Sequence, residues 1–285
     1  MRETLKYIGQ VLIVFSLLLS SFFAVKNVGT TLESKPVNTA GVDLNSNNLE
    51  NSVFQIVNKD QSVPILYDQN DAEVVSICAK ALANDIALIT DISPELETSL
   101  RIDIDAAIIA GTLGKSKLID NMVKSGKLLV NAIEGKWESF LIRIVDTPIS
   151  GLQKALVICG SDPRGTAFGV FELSKRMGVS PWVYWADVVP AKKKNLKVSI
   201  EKIIMGPPSV KYRGIFLNDE DWGLQPWAAS NIDTDIGDIG PRTYALIFEL
   251  MLRLKANYIW TAMHPCTKAF FYYEENRMLH PWFRC

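Results

Sequence analysis

The chain has 285 residues, which at about 150 residues per domain suggests two domains and a substantial core. Lys+Arg 30 against Asp+Glu 31 leaves a formal net charge of -1, and with no basic block in the folded part a sequence-independent nucleic-acid binder is excluded. A hydrophobic content of 48% and a charged content of 21% exclude a disordered or low-complexity chain.

Arg2 and Lys6 precede an apolar run from Val11 to Val25, so residues 1–25 read as a signal peptide and predict export to a periplasmic or extracellular location. The run is shorter than the ~20 residues a membrane-spanning helix needs, and no stable membrane partner is expected after cleavage. Phe22 is bulky where cleavage favours a small residue, so an uncleaved anchor stays as the alternative. Residues 26–50, rich in Asn, Ser, Thr and Gly without periodicity, read as a flexible lead-in.

From residue 51 to about 205 short apolar runs alternate with helical stretches, the signature of an α/β layer domain. The runs go from Phe54 to Val57, Pro64 to Tyr67, Ala106 to Ala110, Phe140 to Val145 and Ala155 to Cys159. Asp71 is placed to cap a helix that carries Val74, Cys78, Ala81, Leu82 and Asp85 along one face. After the strand that ends at Gly160, Asp162 can cap the next helix, Pro163 sits at its first position and Gly178 can close it in the left-handed conformation. Gly160, Gly165 and Gly169 lack the G-x-G-x-x-G spacing, so no dinucleotide loop is read and no cofactor is expected. Arg164, at a helix start after a strand, can meet an anion or serve as an interdomain cation. Cys78, Cys159, Cys266 and Cys285 show no CxxC unit; the first two fall in apolar segments and read as packed hydrophobes rather than disulfide or metal partners.

Lys192 to Lys194 read as a solvated turn, and a second boundary lies at Gly206-Pro207-Pro208, which sets residues 206–285 apart. There an apolar strand, Gly-Ile-Phe-Leu, runs into Asn218-Asp219-Glu220-Asp221-Trp222; an acidic loop follows, then a helix from Pro241 to about Ala256 ended by Asn257, then a second strand, YIWTAMHP. Strand, loop, helix and strand open a βαβ unit. Three carboxylates at the carboxyl end of one strand disfavour each other's ionisation, as acid-base sites exploit. Strand alternation puts Asp219 and Asp221 on one side and Asn218 and Glu220 on the other. Trp222, Trp227 and Trp260 supply flat apolar rings beside the carboxylates, which suits a sugar, and His264 at the second strand end can bind substrate or transfer a proton. A solvated acidic loop and a packed structural histidine are the plain alternatives. Asp233, Asp235 and Asp238 lack the glycine and terminal glutamate of a calcium loop, so they read as a mobile acidic loop and no metal is expected.

GSDPRGTAFGVFELSKRMGVSPWVYWADVVP, KYRGIFLNDEDWGLQPWA and the helix ending LRLKANYIWTAMHP together resemble the N-terminal portion of glycoside hydrolase family 115, the xylan α-1,2-glucuronidases. The resemblance spans roughly residues 50–272. It implies an α/β domain followed by the first units of a (β/α)8 TIM barrel, and a cofactor-free, inverting hydrolase that removes (4-O-methyl)glucuronic acid from glucuronoxylan or glucurono-xylooligosaccharides. The positions it carries over are Asn218, Asp219, Glu220, Asp221, Trp222 and His264, with Asp219, Glu220 and Asp221 as catalytic candidates and the others as substrate contacts. Arg164 is added as a candidate for the glucuronate carboxylate. A barrel takes about 250 residues, so the stretch from Tyr212 to Cys285 holds about two of its eight units, and the tail EENRMLHPWFRC departs from the family pattern. The chain is therefore expected to be an incomplete form, with at least one member of the acid-base pair on a strand beyond Cys285. Two further readings stay open: a non-catalytic carbohydrate-binding fragment that uses the three tryptophans, and an inactive remnant in which only residues 51–205 fold cooperatively.

Overall fold

In the computed structural model of the chain, the structure describes residues 53–99 and 104–279. The leader and lead-in read from the sequence lie outside the described residues, as do His280 and Cys285. The first element is β1 (Val53–Asn58), followed by β2 (Gln61–Ser62), β3 (Ile65–Tyr67), α1 (Glu73–Thr90), β4 (Leu96–Glu97), β5 (Ala106–Thr112) and α2 (Lys117–Lys124). Then come β6 (Phe140–Asp146), β7 (Lys154–Gly160), α3 (Pro163–Met177), β8 (Leu196–Ser199) and β9 (Lys202–Met205). The last part holds β10 (Gly214–Phe216), α4 (Leu224–Asn231), α5 (Pro241–Arg253), β11 (Tyr258–Trp260), a 3-10 turn (Phe270–Tyr272) and α6 (Glu274–Met278).

The main sheet has the order β4-β3-β5-β7-β6-β9, parallel from β4 to β7 and antiparallel at β6 and β9. Its central strands read as unbroken apolar runs because parallel strands are covered on both faces. The period of two then divides them: Ile108, Ala110, Leu156 and Ile158 face one core with α1 and α3, while Ala107, Ile109, Val157 and Cys159 face a second core with Ile119 and Met122 of α2. The small sheet β2-β1-β8 joins the first core through Phe54, Ile56 and Val198. Burial pushes the Cys159 thiol up to about 12, so it stays protonated, and Cys78 is equally buried.

The helix ends follow their sequence signals in α3 and depart from them elsewhere. Asp162 accepts from the Gly165 amide at 2.7 Å, Pro163 opens the helix, and Gly178 closes it with φ at 110°. A Cβ on Gly165 would stand 2.3 Å from the Ser139 carbonyl oxygen, so this glycine lets the helix approach the sheet rather than a nucleotide. Asp71 does not cap α1. Ala72 holds the cap position without a side-chain bond, because the Asp71 carboxylate is taken by the Ala72 amide and by the Thr112 amide at the end of β5, each at 2.7 Å. Nor does Asn257 end α5; the helix ends at Arg253 with Leu254 at the cap position, Lys255 takes the left-handed conformation, and Asn257 is drawn off to other partners.

β9 pairs with β6, and after Gly206-Pro207-Pro208 the parallel ladder β10–β11 begins, with Gly214 opposite Tyr258, Ile215 opposite Ile259 and Phe216 opposite Trp260. Ile215 and Ile259 pack with Leu217, Tyr244 and Phe248 in a third core. A Cβ on Gly214 would lie 2.1 Å from the Tyr258 carbonyl oxygen, so only glycine admits this approach. The fold is mixed α/β, and its last part holds one parallel β/α/β unit; among the described residues no barrel closes. Also among the described residues, no helix is long and apolar enough to cross a membrane.

Candidate active site

Both parallel strands of the ladder deliver their following residues to the same end. β10 leads through Leu217 into Asn218, Asp219 and Glu220, and β11 leads through Thr261 and Ala262 into Met263 and His264. Asp219 is fully buried. Its Oδ2 accepts from the Met263 amide at 2.9 Å, the His264 amide at 3.0 Å and Thr267 Oγ1 at 2.5 Å, and its Oδ1 lies 2.7 Å from His264 Nδ1. Cys266 Sγ donates to the Asp219 carbonyl at 3.3 Å. Burial works to raise the Asp219 pKa, but the Thr267 and His264 side chains and the two backbone amides outweigh it and hold the carboxyl at about 2.

His264 Nε2 stands 3.5 Å from Glu220 Oε1, so the imidazole bridges two carboxylates, one buried and one 32% exposed. The Asp219 hydrogen bond raises the His264 pKa, with smaller coulombic help from Asp219 and Glu220 against desolvation. A further bond fixes the second strand's extension: the Ala262 amide donates to Tyr244 Oη at 3.1 Å, and burial pushes that phenol up to about 12.

The alternation expected along this segment does not persist. β10 ends at Phe216, and a turn closed by the Gly223 amide on the Glu220 carbonyl at 3.0 Å rotates the chain, so Asp221 is exposed rather than paired with buried Asp219. The structure thus brings Asp219, Glu220 and His264 together. Asn218 and Trp222 flank them on the surface, Trp222 being 74% exposed. Trp260 stands with Phe216 on the open face of the ladder, their rings edge-on at 6.0 Å, whereas Trp227 leans on Trp185 at 5.5 Å.

Arg164 does not join this group. Its Nη1 donates to Glu138 Oε1 at 2.7 Å, and Glu138 also accepts from Asn257 Nδ2 at 2.8 Å and from Arg213. Arg213 and Asn257 precede β10 and β11, so Arg164 lies at the amino ends of the ladder, whereas Asp219 and His264 follow its carboxyl ends. Burial favours protonated Glu138, but Arg164, Asn257 and Arg213 outweigh it and hold the pKa below the usual range.

The aspartates of IDTDIGD are not a mobile loop. Asp233 is fully buried and accepts from the Gly240 amide at 3.0 Å, the Thr243 amide at 2.9 Å and Thr243 Oγ1 at 2.6 Å, capping α5 where no closer residue can. Asp238 accepts from the Lys268 amide at 3.0 Å and Tyr273 Oη at 2.9 Å, and Asp235 pairs with Arg242. Among the described residues no group of three or more His, Cys, Asp or Glu is arranged to hold a metal ion. Sequence reasoning missed Thr267, Tyr244 and Asp238 as parts of this assembly. The signal for Thr267 was the tight His-Pro-Cys-Thr turn, which aims successive donors at one acceptor.

This combination of an α/β layer and a parallel ladder with carboxylates at its carboxyl ends falls among the glycosyl hydrolases: residues 205–281 match the model of Glycosyl hydrolase family 115. The solved structure of BtGH115A, described as a family GH115 4-O-methyl-alpha-glucuronidase with specificity for decorated arabinogalactans, is 37% identical with a TM-score of 0.68. The match covers 81% of this chain and 28% of that one. The chain therefore belongs to glycoside hydrolase family 115, of which it spans less than a third of the length of this solved member. Weaker likenesses reach a GH20 exo β-N-acetylglucosaminidase from Vibrio harveyi (12% identity, 73% of this chain and 22% of that, TM-score 0.39) and a Streptomyces plicatus β-hexosaminidase (12%, 73% and 31%, TM-score 0.42). The chain matches no curated protein.

Proposed function

We propose that the chain supplies the opening catalytic elements of a glucuronidase-type glycoside hydrolase that acts outside the cytoplasm and removes (4-O-methyl)glucuronic acid side chains from glucuronoxylan by inverting hydrolysis. The observation that carries this reading is Glu220: a part-exposed carboxylate at the carboxyl end of a parallel strand, faced by His264 Nε2 at 3.5 Å and set near the exposed ring of Trp222. Carboxyl ends of parallel strands are where β/α folds place their chemistry. Inversion needs one carboxylic acid to protonate the leaving oxygen and one carboxylate, about 6.5–9.5 Å away, to activate water on the opposite face of the sugar. Glu220 and Asp221 reach the surface on a single turn and cannot flank a ring together, so one of them works with a carboxylate from another strand. Exposed aromatic faces then stack against the sugar.

The description of BtGH115A favours decorated arabinogalactan as a second substrate. Chromatography of glucuronate released from both polysaccharides separates the two readings; xylan is expected to be the better substrate. Glu220→Gln is expected to lower kcat by about 10²-fold or more, as for a lost acid-base group. Unchanged rates in Glu220→Gln and Asp221→Asn alike would remove the cluster from the mechanism, and binding of xylan fragments without release would favour a carbohydrate-binding role.

A further inference from the structure

Asp219 was the natural catalytic candidate, yet its oxygens are spoken for. A carboxylate has about four lone-pair positions. Four donors converge here, from Met263, His264 twice and Thr267, and the side chain has no exposed surface through which a glycoside can reach it. A carboxylate can only accept, so His264 Nδ1 carries the shared hydrogen and Nε2 is left facing Glu220 Oε1. The Glu220 side chain, in contrast, keeps 32% of its surface exposed, and its Oε2 has no hydrogen-bond partner among the described residues. Such an oxygen is costly to leave unpaired; as a carboxylate it can accept from a substrate hydroxyl, and as a carboxylic acid it can donate to a glycosidic oxygen.

We propose that Asp219 is a positioning residue, anchored by Thr267, that holds His264 Nε2 against Glu220, and that Glu220 rather than Asp219 is the carboxylate offered to the substrate. The assignment deepens the glycosidase reading and, for its effect on rate, rests on it. Thr267 completes the device because its hydroxyl donates to Asp219 Oδ2 and also reaches the His264 carbonyl at 3.1 Å, so one side chain ties the carboxylate to the turn that carries the imidazole. The ionisable groups that face His264 are Asp219 and Glu220 from the first strand's extension; Cys266 lies on its own turn.

The test pairs nuclear magnetic resonance of His264 in this chain with kinetics on a parent polypeptide in which the chain is joined to the remaining barrel units of a family 115 enzyme. The chain contains only two histidines, so His280→Gln leaves a single imidazole signal to follow. In that background His264 is expected to titrate above ~6.5 with Nδ1 protonated in its neutral form. Asp219→Asn presents an amide donor to Nδ1, so the neutral tautomer should reverse and the titration should fall to ~6.5 or below. In the glucuronidase assay Asp219→Asn is expected to lower kcat about 10²-fold with KM within threefold. Thr267→Val should act in the same direction by about tenfold, with Thr267→Ser restoring the parent value; this pair keeps the test sharp if Asp219→Asn does not fold. An unchanged His264 titration and tautomer in Asp219→Asn overturns the positioning role whatever the enzyme assay gives, and where that variant does not fold an unchanged His264 titration in Thr267→Val does the same. The expected spectra with unchanged kcat would overturn its part in the reaction while leaving the glucuronidase reading intact, and absence of glucuronate release by the parent would sink that reading without touching the spectra.

Discussion

The two parts of the chain are held together by different physics. In the α/β layer, Ile108, Ile142, Leu156 and Ile158 are fully buried in a core shared by the sheet and two helices, and each such side chain contributes about 1.5–3 kcal/mol relative to exposure. The ladder β10–β11 has one covered face, where Ile215 and Ile259 meet α5, and one open face, where Phe216, Tyr258 and Trp260 are each more than half exposed. A two-stranded sheet of this kind is marginal alone. Its geometry is fixed instead by carboxylates that each gather several donors: Asp219, Asp233, Asp238 and, from the first part, Glu138. Apolar packing sets the scaffold, and polar hubs set the site; the first tolerates conservative change in volume, the second does not tolerate loss of one acceptor.

The strongest way to break this contrast is to cut the buried ion pair between the parts. Arg253 of α5 donates from both terminal nitrogens to Asp85 of α1, at 2.9 and 2.8 Å, and lies 4.6 Å from the centre of the Phe171 ring; both partners are nearly sealed from water. Arg253→Met should cost about 3–5 kcal/mol, because it strands the Asp85 charge in the core and also unpairs Glu249, which Arg253 meets at 2.8 Å. The double change Arg253→Met with Asp85→Leu should recover only the part of that loss due to Asp85, since Glu249 still lacks the guanidinium it meets at 2.8 Å. Urea unfolding of the parent and the two variants checks both statements, and a loss below 1 kcal/mol in the single variant would mean the link is not structural.

A smaller effect is expected at Glu138, where Arg164, Arg213 and Asn257 converge at the amino ends of the ladder. Glu138→Gln keeps the shape and removes the charge. Hydrogen bonds to charged groups are worth about 1.5–3 kcal/mol, but both guanidinium groups keep about a fifth of their surface in water, so about 1–2 kcal/mol should be lost. The loss belongs to neutral pH: the Glu138 pKa is depressed, so its contribution is present above the ordinary glutamate range and disappears as pH falls through the folded value. A parent and variant equally stable at pH 7 would show that the two arginines do not need this carboxylate.

Most of the layer was legible in the sequence because unbroken apolar runs admit few other uses. All five runs from Phe54 to Cys159 became strands, and the cap signals of α3 sat where Asp162, Pro163 and Gly178 put them. The site was legible in its residue types and less so in their roles. NDEDW and AMHP named Asp219, Glu220 and His264, but the alternation rule applies only while the chain stays extended, and the turn at Glu220 reassigned Asp221. Asp71 and Asn257 show the same limit: a cap residue is a short polar side chain with choices, and distant partners, the Thr112 amide for one and Glu138 for the other, outbid the local helix end. Arg164 reads from the sequence as an anion contact or an interdomain cation; its partner Glu138 is 26 residues away, brought beside it by the antiparallel pairing of β6 with β7, a register that no local pattern encodes.

The smallest predicted effect tests the polar hub directly through pH. Asp219, held at about 2, contributes stability that is present above the unfolded aspartate value of ~3.9 and is lost as pH falls through the folded one. His264 is raised, so its contribution is fully present below its unfolded value of ~6.5 and is lost as pH rises through the folded value. The two overlap between about pH 4 and 6.5, where the ion pair is complete. The denaturation midpoint of the parent should therefore decline slightly from pH 6 to pH 8, and His264→Gln should flatten that limb while leaving the acid limb in place. Asp219→Asn should weaken both limbs at once, because the raised imidazole depends on the carboxylate it faces. A decline from pH 6 to 8 that survives in His264→Gln would place its source elsewhere in the chain and leave the buried carboxylate without a charged partner in the ladder.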